Sequence, residues 1–288
     1  MPELPEVETL RRGLAASTLG KRIQTVTVLW RPSVDAAENA VSRLGNKMIN
    51  AVRRRGKALV LDLNGGMHLL LHPMMTGQLV VTEQAVTVFA GGHPSRSMLD
   101  AMPNATTRVI LGLSENTVVF FNDQRKFGWI RILDTAALRG DPFLARLGPE
   151  PLGDTFTVNG FRERLAAHSR APIKAVLLDQ STVAGLGNIY ADESLHLARI
   201  HPRRLAGSLS MRESAALHDA IRTALSAAVS DGGTSFAEYV NAFRGQDNYL
   251  ASAGVFRRAG QPCPVCGATI ERILVAGRGT NFCPQCQS

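Results

Sequence analysis

Two hydrophobic periods divide this chain. Val7, Leu10 and Leu14 fall on one stripe at helical spacing, with Pro5 at the first helical position and Gly20 as the stop. From Ile23 to about Leu133 the period drops to two. Residues 23–28, 48–53, 58–63, 67–71, 79–82, 107–113, 117–122 and 129–133 predict short strands broken by Gly, Asn and Asp. Such strands bury one face each against a second layer, which predicts a β-sandwich or flattened barrel. Residues 85–105, with Gly91, Gly92, Pro94 and Pro103, predict a long loop. A Gly/Pro-punctuated linker follows over 133–148. The pattern then becomes helical at 158–167, 172–178, 188–198 and 210–229, the last stopped by Gly232 and Gly233. From 251 onward, two short strand pairs are predicted around a group of cysteines. The expected domains are therefore 1–133, 134–250 and 251–288.

The chain has 288 residues, enough for two domains with their own cores. Hydrophobic residues make up 45% and charged residues 19%, as in a globular protein. No apolar run approaches the roughly 18 residues of a membrane span, and a signal-peptide core is absent, so a cytoplasmic location is expected. The net charge of +8 favours a polyanionic partner, although ribosomal and merely basic cytosolic proteins share it. Aromatics are only 6%, which argues against a stacking platform for single strands.

All four cysteines lie in two Cys-x-x-Cys pairs, Cys263/Cys266 and Cys283/Cys286. That spacing suits one structural tetrahedral zinc ion, with two disulfides as the alternative; a reducing compartment favours zinc. At the other end, loss of Met1 would leave Pro2 as a free secondary amine. An α-amino group has a pKa of about 7.7–8, far below the ~10.4 of lysine, so an unprotonated nucleophile exists near neutrality. Its attack on a sugar C1′ leads to an iminium ion. Glu3 and Glu6 place acid/base groups beside it. The same residues also spell an ordinary helix start.

Further stretches suit duplex DNA. Arg125, Lys126 and Phe127 put two cations and an aromatic on a strand-to-strand turn, and Met75 offers a second wedge, although Met and Phe also serve as core. Lys57, after Arg53-Arg54-Arg55-Gly56, fits a phosphate clamp or a solvated charge run. In Asp179–Asn188, Gly185 and Gly187 allow a tight turn, and Asn188 is expected to cap a helix whose N-terminus can hold a phosphate. A plain connection between helices reads the same way.

Together these residues resemble the bacterial formamidopyrimidine-DNA glycosylase family. The match runs from Pro2–Glu8 through Lys57, the Met-Thr-Gly stretch and Asp123–Gly128 to Leu177–Gln180, Asn188–Ala191 and the terminal cysteines. The resemblance implies an α+β multidomain fold: an N-terminal helix plus β-sandwich, then a helix-two-turn-helix domain with a zinc-finger β-hairpin. It implies Pro2 as Schiff-base nucleophile, Glu3 as catalytic acid, Glu6 as an acid near the site, and Lys57 in β-elimination and phosphate contact. Met75, Arg125 and Phe127 correspond to the trio that fills the hole left by an everted base. Lys126, Arg170, Lys174 and Asn188 fall where the family contacts phosphates, Arg108 falls near a further contact, and Arg278 matches an arginine linked to phosphate binding and δ-elimination. Residues 241–250, including Arg244 and Tyr249, take the place of a loop over the lesion.

The implied function is a bifunctional glycosylase and AP lyase acting on oxidised purines in damaged double-stranded DNA, as a nucleoid-associated cytoplasmic monomer. An endonuclease VIII-like enzyme for oxidised pyrimidines and a non-catalytic damaged-DNA-binding relative are the alternatives. The chain departs from the family pattern at Pro73-Met74 (usually Leu-Gly), at Gln124 (usually Pro), at Lys126 (usually Arg), and in lacking a histidine near Thr106–Arg108.

Overall fold

The computed structural model describes residues 1–288 apart from Glu38, Pro94, Leu99 and 234–251, and the side chain of Arg96. The expected lesion loop at 241–250 lies outside the described residues. The chain forms two compact units: Met1–Ala145 builds the first, joined by Gly232 and Gly233, and Arg146–Asp231 with the C-terminal stretch to Ser288 builds the second.

In the first unit, α1 (Leu4–Thr18) begins with a reciprocal cap between Glu3 and Glu6, in which the Glu3 N–H donates to Glu6 Oε2 at 2.8 Å. Its buried stripe is Leu4, Val7, Leu10 and Leu14. Ten strands follow: β1 (Ile23–Val28), β2 (Val34–Asp35), β3 (Ile49–Arg55), β4 (Ala58–Leu63), β5 (Met67–His72), β6 (Gly77–Glu83), β7 (Val86–Gly92), β8 (Thr107–Leu113), β9 (Thr117–Asp123) and β10 (Trp129–Asp134). They make two five-stranded sheets, ordered β1-β8-β9-β6-β7 and β2-β10-β5-β4-β3, antiparallel except for β2 beside β10. Leu59, Leu61, Leu69, Leu71, Leu79, Val81, Val109 and Phe121 share one core with α1, so the fold is a sandwich with a helix docked on it. Gly13 lets α1 close on β7: a Cβ there would stand 1.9 Å from the Phe89 ring.

Two parts of this unit differ from expectation. The predicted loop at 85–105 contains β7, paired along β6. Gly92, which reads as a loop residue, is needed inside the sheet, because a Cβ on it would lie 2.3 Å from the Gly77 carbonyl oxygen. The predicted linker contains α2 (Thr135–Arg139), capped by Asp134 accepting from the Ala137 N–H, and α3 (Pro142–Ala145). Phe143 of α3 packs edge-on against His72 and Trp129, which ties residues 134–145 to the sandwich.

The second unit contains α4 (Val158–Ala167), α5 (Ile173–Leu178), α6 (Asn188–Leu197) and α7 (Met211–Ser230), then one hairpin, β11 (Glu271–Val275) with β12 (Arg278–Phe282). The second predicted strand pair in the tail is a single bridge, Pro262 with Thr269. Helix α6 is buried almost all round, and Leu217, Ile221, Ala224 and Leu225 give α7 its packed stripe. Ser210 and Glu213 close a capping box on α7, and Arg204 beside Glu213 helps hold its carboxyl down to about 2. No described helix is long and apolar enough to cross a membrane. Losing one such cap costs about 1 kcal/mol. Ser210→Ala should therefore lower the unfolding free energy by that amount, read as a lower urea midpoint at an unchanged slope; an unchanged midpoint would leave the cap without energetic weight.

Candidate functional site

Topology brings the two candidate wedges together. The chain crosses from one sheet to the other three times, and two of the crossings, between β5 and β6 and between β9 and β10, carry the wedges. Register puts these two crossings side by side: His72 pairs with Trp129, and Gly77 with Asp123. Met75 rides the first crossing and Arg125-Lys126-Phe127 the second. Arg125 Nη1 lies 3.2 Å from Met75 Sδ, and its guanidinium carbon is 4.9 Å from the Phe127 ring centre. Met75 and Phe127 are 38% and 48% exposed, so these two are not core residues.

Asp123, fully buried, organises the second crossing. Its carboxylate accepts from the Arg125 N–H at 3.2 Å and the Gly128 N–H at 2.6 Å, and accepts a hydrogen bond from the Thr76 hydroxyl of the first crossing. The Arg125 N–H also reaches Thr76 Oγ1 at 3.0 Å. Both loops carry a left-handed residue that is not glycine, Met74 at φ 52° and Lys126 at φ 60°. His72 Nδ1 accepts the Met74 N–H at 2.9 Å, which fixes the imidazole as the Nε2–H tautomer. Burial, helped by the charge of Lys57, brings His72 down to about 4. Lys57 itself is buried at the β3–β4 turn.

Pro2 and Glu3 are buried at the head of α1, and Glu6 spends one carboxylate oxygen on the Glu3 N–H. His93 is depressed by burial and then by the charge of the chain's amino terminus, while Asp123 opposes. Its N–H bonds the Gly77 carbonyl, so the terminus and the wedge loops lie in one neighbourhood. Arg108 and Lys126, both expected at or near phosphate contacts, have partners within the chain. Arg108 is buried, with Nε on the Asp123 carbonyl at 2.8 Å and Nη1 on Ala105, so it braces the turn from behind. Lys126 Nζ rests 4.0 Å from the centre of the Trp30 ring.

In the second unit Lys174, expected at a phosphate, has its ammonium completely buried on Asp192 Oδ1 (2.6 Å), Thr280 Oγ1 (2.7 Å) and the Gly279 carbonyl (3.2 Å). Gly187, not Asn188, is the N-cap of α6; Asn188 is its first residue and donates Nδ2 to the Gly279 carbonyl at 3.1 Å. Arg170 is exposed in the turn before α5, and Arg278 is exposed at the start of β12.

The four cysteine Sγ atoms lie within 4.8 Å of one another, with Cys263–Cys286 at 3.9 Å and Cys266–Cys283 at 3.4 Å. Zinc–sulfur bonds of about 2.3 Å need tetrahedral edges of about 3.8 Å, so the set fits one Zn²⁺ with no open position. Burial opposes ionisation of Cys263, yet the N–H groups of Val265 and Cys266 and the ring of His196 bring it down to about 6. Burial and neighbouring sulfurs push Cys286 up to about 12. A divalent cation removes that conflict by stabilising all four thiolates together. His196 Nε2, 3.5 Å from Cys263 Sγ, was missed from sequence, as were His72, His93 and Trp30; only Asp123, five residues before Gly128, carried a local turn signal.

Two measurements follow from this geometry. His72 has its folded pKa depressed from 6.5, so the unfolded chain binds the extra proton. Its contribution is full above pH 6.5 and lost as pH falls to about 4, by roughly 3 kcal/mol in all. His72→Leu should flatten the pH dependence of stability across that window; an undiminished slope would mean that His72 is not the group titrating. Chelation of zinc should unfold the hairpin while the near-ultraviolet signal of Trp129 in the sandwich persists, and loss of both together would contradict a role confined to the tail.

Comparison with known proteins agrees with this arrangement. Residues 1–130 match the profile described as formamidopyrimidine-DNA glycosylase N-terminal domain, 147–239 that of the formamidopyrimidine-DNA glycosylase H2TH domain, and 260–288 that of a zinc finger found in FPG and IleRS. The formamidopyrimidine-DNA glycosylase of Roseiflexus sp. is 42% identical over 293 aligned positions, covering 100% of both chains. A Lactococcus lactis FPG mutant solved with Fapy-dG-containing DNA superposes with TM-score 0.87 at 33% identity, covering 100% of each chain. The same organism's enzyme bound non-covalently to DNA with an AP site gives TM-score 0.84 at 32% identity, over 99% of each. With three profiles in order and full-length relatives at this identity, the chain belongs to the formamidopyrimidine-DNA glycosylase family, and its tail is a zinc finger for one structural zinc ion.

Proposed function

We propose that this chain is a bifunctional DNA glycosylase and AP lyase that removes oxidised purines from duplex DNA with Pro2 as nucleophile. The observation that carries the reading is the contact of Met75, Arg125 and Phe127 at two adjoining crossings, in the same unit as the amine-bearing end of α1. A flexible thioether and a ring enter the stack, and the guanidinium between them faces the orphaned base. The partner is damaged double-stranded DNA; the Lactococcus lactis relatives were solved with DNA containing Fapy-dG or an AP site. The chain acts as a monomer, nucleoid-associated in the cytoplasm.

Chemistry needs Met1 removed, since Pro2 nitrogen is otherwise an amide. The freed amine forms a bond to C1′ as the C1′–N bond to the damaged base breaks, and the base leaves with that electron pair and gains a proton. Glu3, at the head of α1, supplies protons to the base or the sugar ring oxygen. Ring opening gives the iminium ion, which acidifies C2′–H. Loss of that proton expels the 3′ phosphate, and a second elimination expels the 5′ phosphate. Lys57 serves the first elimination and Arg278 the second, while Arg170, Lys126 and Asn188 grip phosphates. Glu6 acts through Glu3, whose backbone it holds. Zinc performs no step; it folds the tail that carries Arg278.

Borohydride should trap the Met-free protein covalently on duplex containing 8-oxoguanine opposite cytosine, and Pro2→Gly should lose the trapped species. Excision of 8-oxoguanine should exceed that of thymine glycol. No adduct from Met-free protein ends the Schiff-base mechanism, and the reverse substrate order moves the chain to pyrimidine lesions.

A further inference from the structure

The cysteine cluster has a polar neighbour outside the tail. The knuckle N–H groups of Val265 and Cys266 face Cys263, and those of Gln285 and Cys286 face Cys283, with the Cys286 nitrogen 3.3 Å from that sulfur. Cys263 has a further partner from α6: His196 Nε2 lies 3.5 Å from its Sγ, across 67 residues of sequence. We propose that His196 is a positioning residue of the zinc site, whose Nε2–H donates to the Cys263 thiolate and so fixes that sulfur against α6 when the metal is bound.

Charge balance explains why a donor is wanted there. Four thiolates around one Zn²⁺ leave an excess of negative charge spread over the sulfurs. Exposed Cys266 can share its part with water, whereas Cys263 and Cys283 are buried and depend on N–H groups of the protein. A metal-bound thiolate accepts hydrogen bonds and has no proton to give, so the nitrogen facing it must carry one. That requirement selects the Nε2–H tautomer of a neutral imidazole, with no change of charge on His196.

The ring is held for this contact. His196 is buried, and the Cys263 sulfur is the hydrogen-bond partner of its side chain among the described residues. The Nδ1–Cε1 edge of the ring lies where Gly254 has no side chain: a Cβ there would stand 2.6 Å from Nδ1 and 3.0 Å from Cε1. Gly254 is itself fixed, its N–H donating to Glu193 Oε2 at 2.7 Å. Glu193 and His196, one turn apart on α6, therefore share a helix face and meet the tail side by side. A hydrocarbon ring would fill the same volume; the imidazole adds an N–H aimed at sulfur.

The test uses full-length protein loaded with Zn²⁺ or Co²⁺. In the zinc-loaded wild type, long-range proton–nitrogen correlation spectroscopy should show His196 protonated at Nε2. Protonation at Nδ1 instead, or Nε2 bound to the metal, overturns the proposal without recourse to a variant. His196→Phe keeps a ring and removes the donor. It should hold zinc roughly ten- to a hundredfold less tightly in competition with a chromophoric chelator. Its cobalt form should keep the ligand-field bands of four sulfurs while the sulfur-to-metal charge-transfer band moves to lower energy, because a thiolate without that donor gives up electron density more readily. His196→Gln, which carries an amide N–H, should recover part of both effects. A merely space-filling histidine predicts the opposite order, with His196→Phe close to wild type and His196→Gln worse. That order, or an unmoved charge-transfer band in folded His196→Phe, overturns the proposal.

Discussion

Two adjacent carboxylates on α6 hold the second unit together. Asp192 is buried against Lys174 at 2.6 Å and takes both the backbone and side-chain N–H of Asn281; Glu193 accepts the N–H groups of Gly254, Val255 and Phe256. Burial pushes the Asp192 carboxyl above its ordinary value, and Lys174 and Asn281 oppose that. Breaking a buried pair by removing one partner costs about 3–5 kcal/mol, because the survivor keeps its charge without compensation. Through Asp192, with Lys174 holding the Gly279 carbonyl and Thr280, α6 fixes β12, and through Glu193 it fixes the turn before the cysteines. His196, one turn further along, reaches Cys263. The metal and the helix are thus two clamps on one short tail.

The sandwich solves a related problem with less material. Strand pairing alone sets the Met75 loop beside the Arg125 turn, and Asp123 then specifies the local shape. Left-handed backbone at Met74 and Lys126 is tolerated because each is held: Met74 by His72, Lys126 by its ammonium over Trp30. The left-handed Met74 that follows Pro73 is accommodated by that imidazole acceptor.

The alternating stretches from Ile23 to Leu133 were legible because each strand is buried on one face and period two follows directly. The four helices of the second unit were legible from their stripes and stops, and the cysteine spacing named its metal. Strand β7 was not, since Gly91 and Gly92 signal a loop by composition while serving close approach in a sheet. The surroundings of Arg108 and Lys174 were not legible for a different reason. A cation in a basic chain reads as a surface contact, and only three-dimensional packing shows a guanidinium turned onto carbonyls or an ammonium closed in by Asp192. The histidines at 72, 93 and 196 carry no spacing signal, because their partners are distant in sequence.

The absent side chain at Gly13 has a reach beyond its own turn. The Phe89 ring fills that gap and so fixes how α1 lies on the sheet. Helix α1 is a stiff rod rising about 1.5 Å per residue, so its head, with Pro2 and Glu3, is some 15 Å from that socket. A tilt of a few degrees about this fulcrum would swing that head by an ångström, the scale on which the nucleophile proposed there has to be placed. Aim, in this molecule, is set at the far end of the barrel from the muzzle.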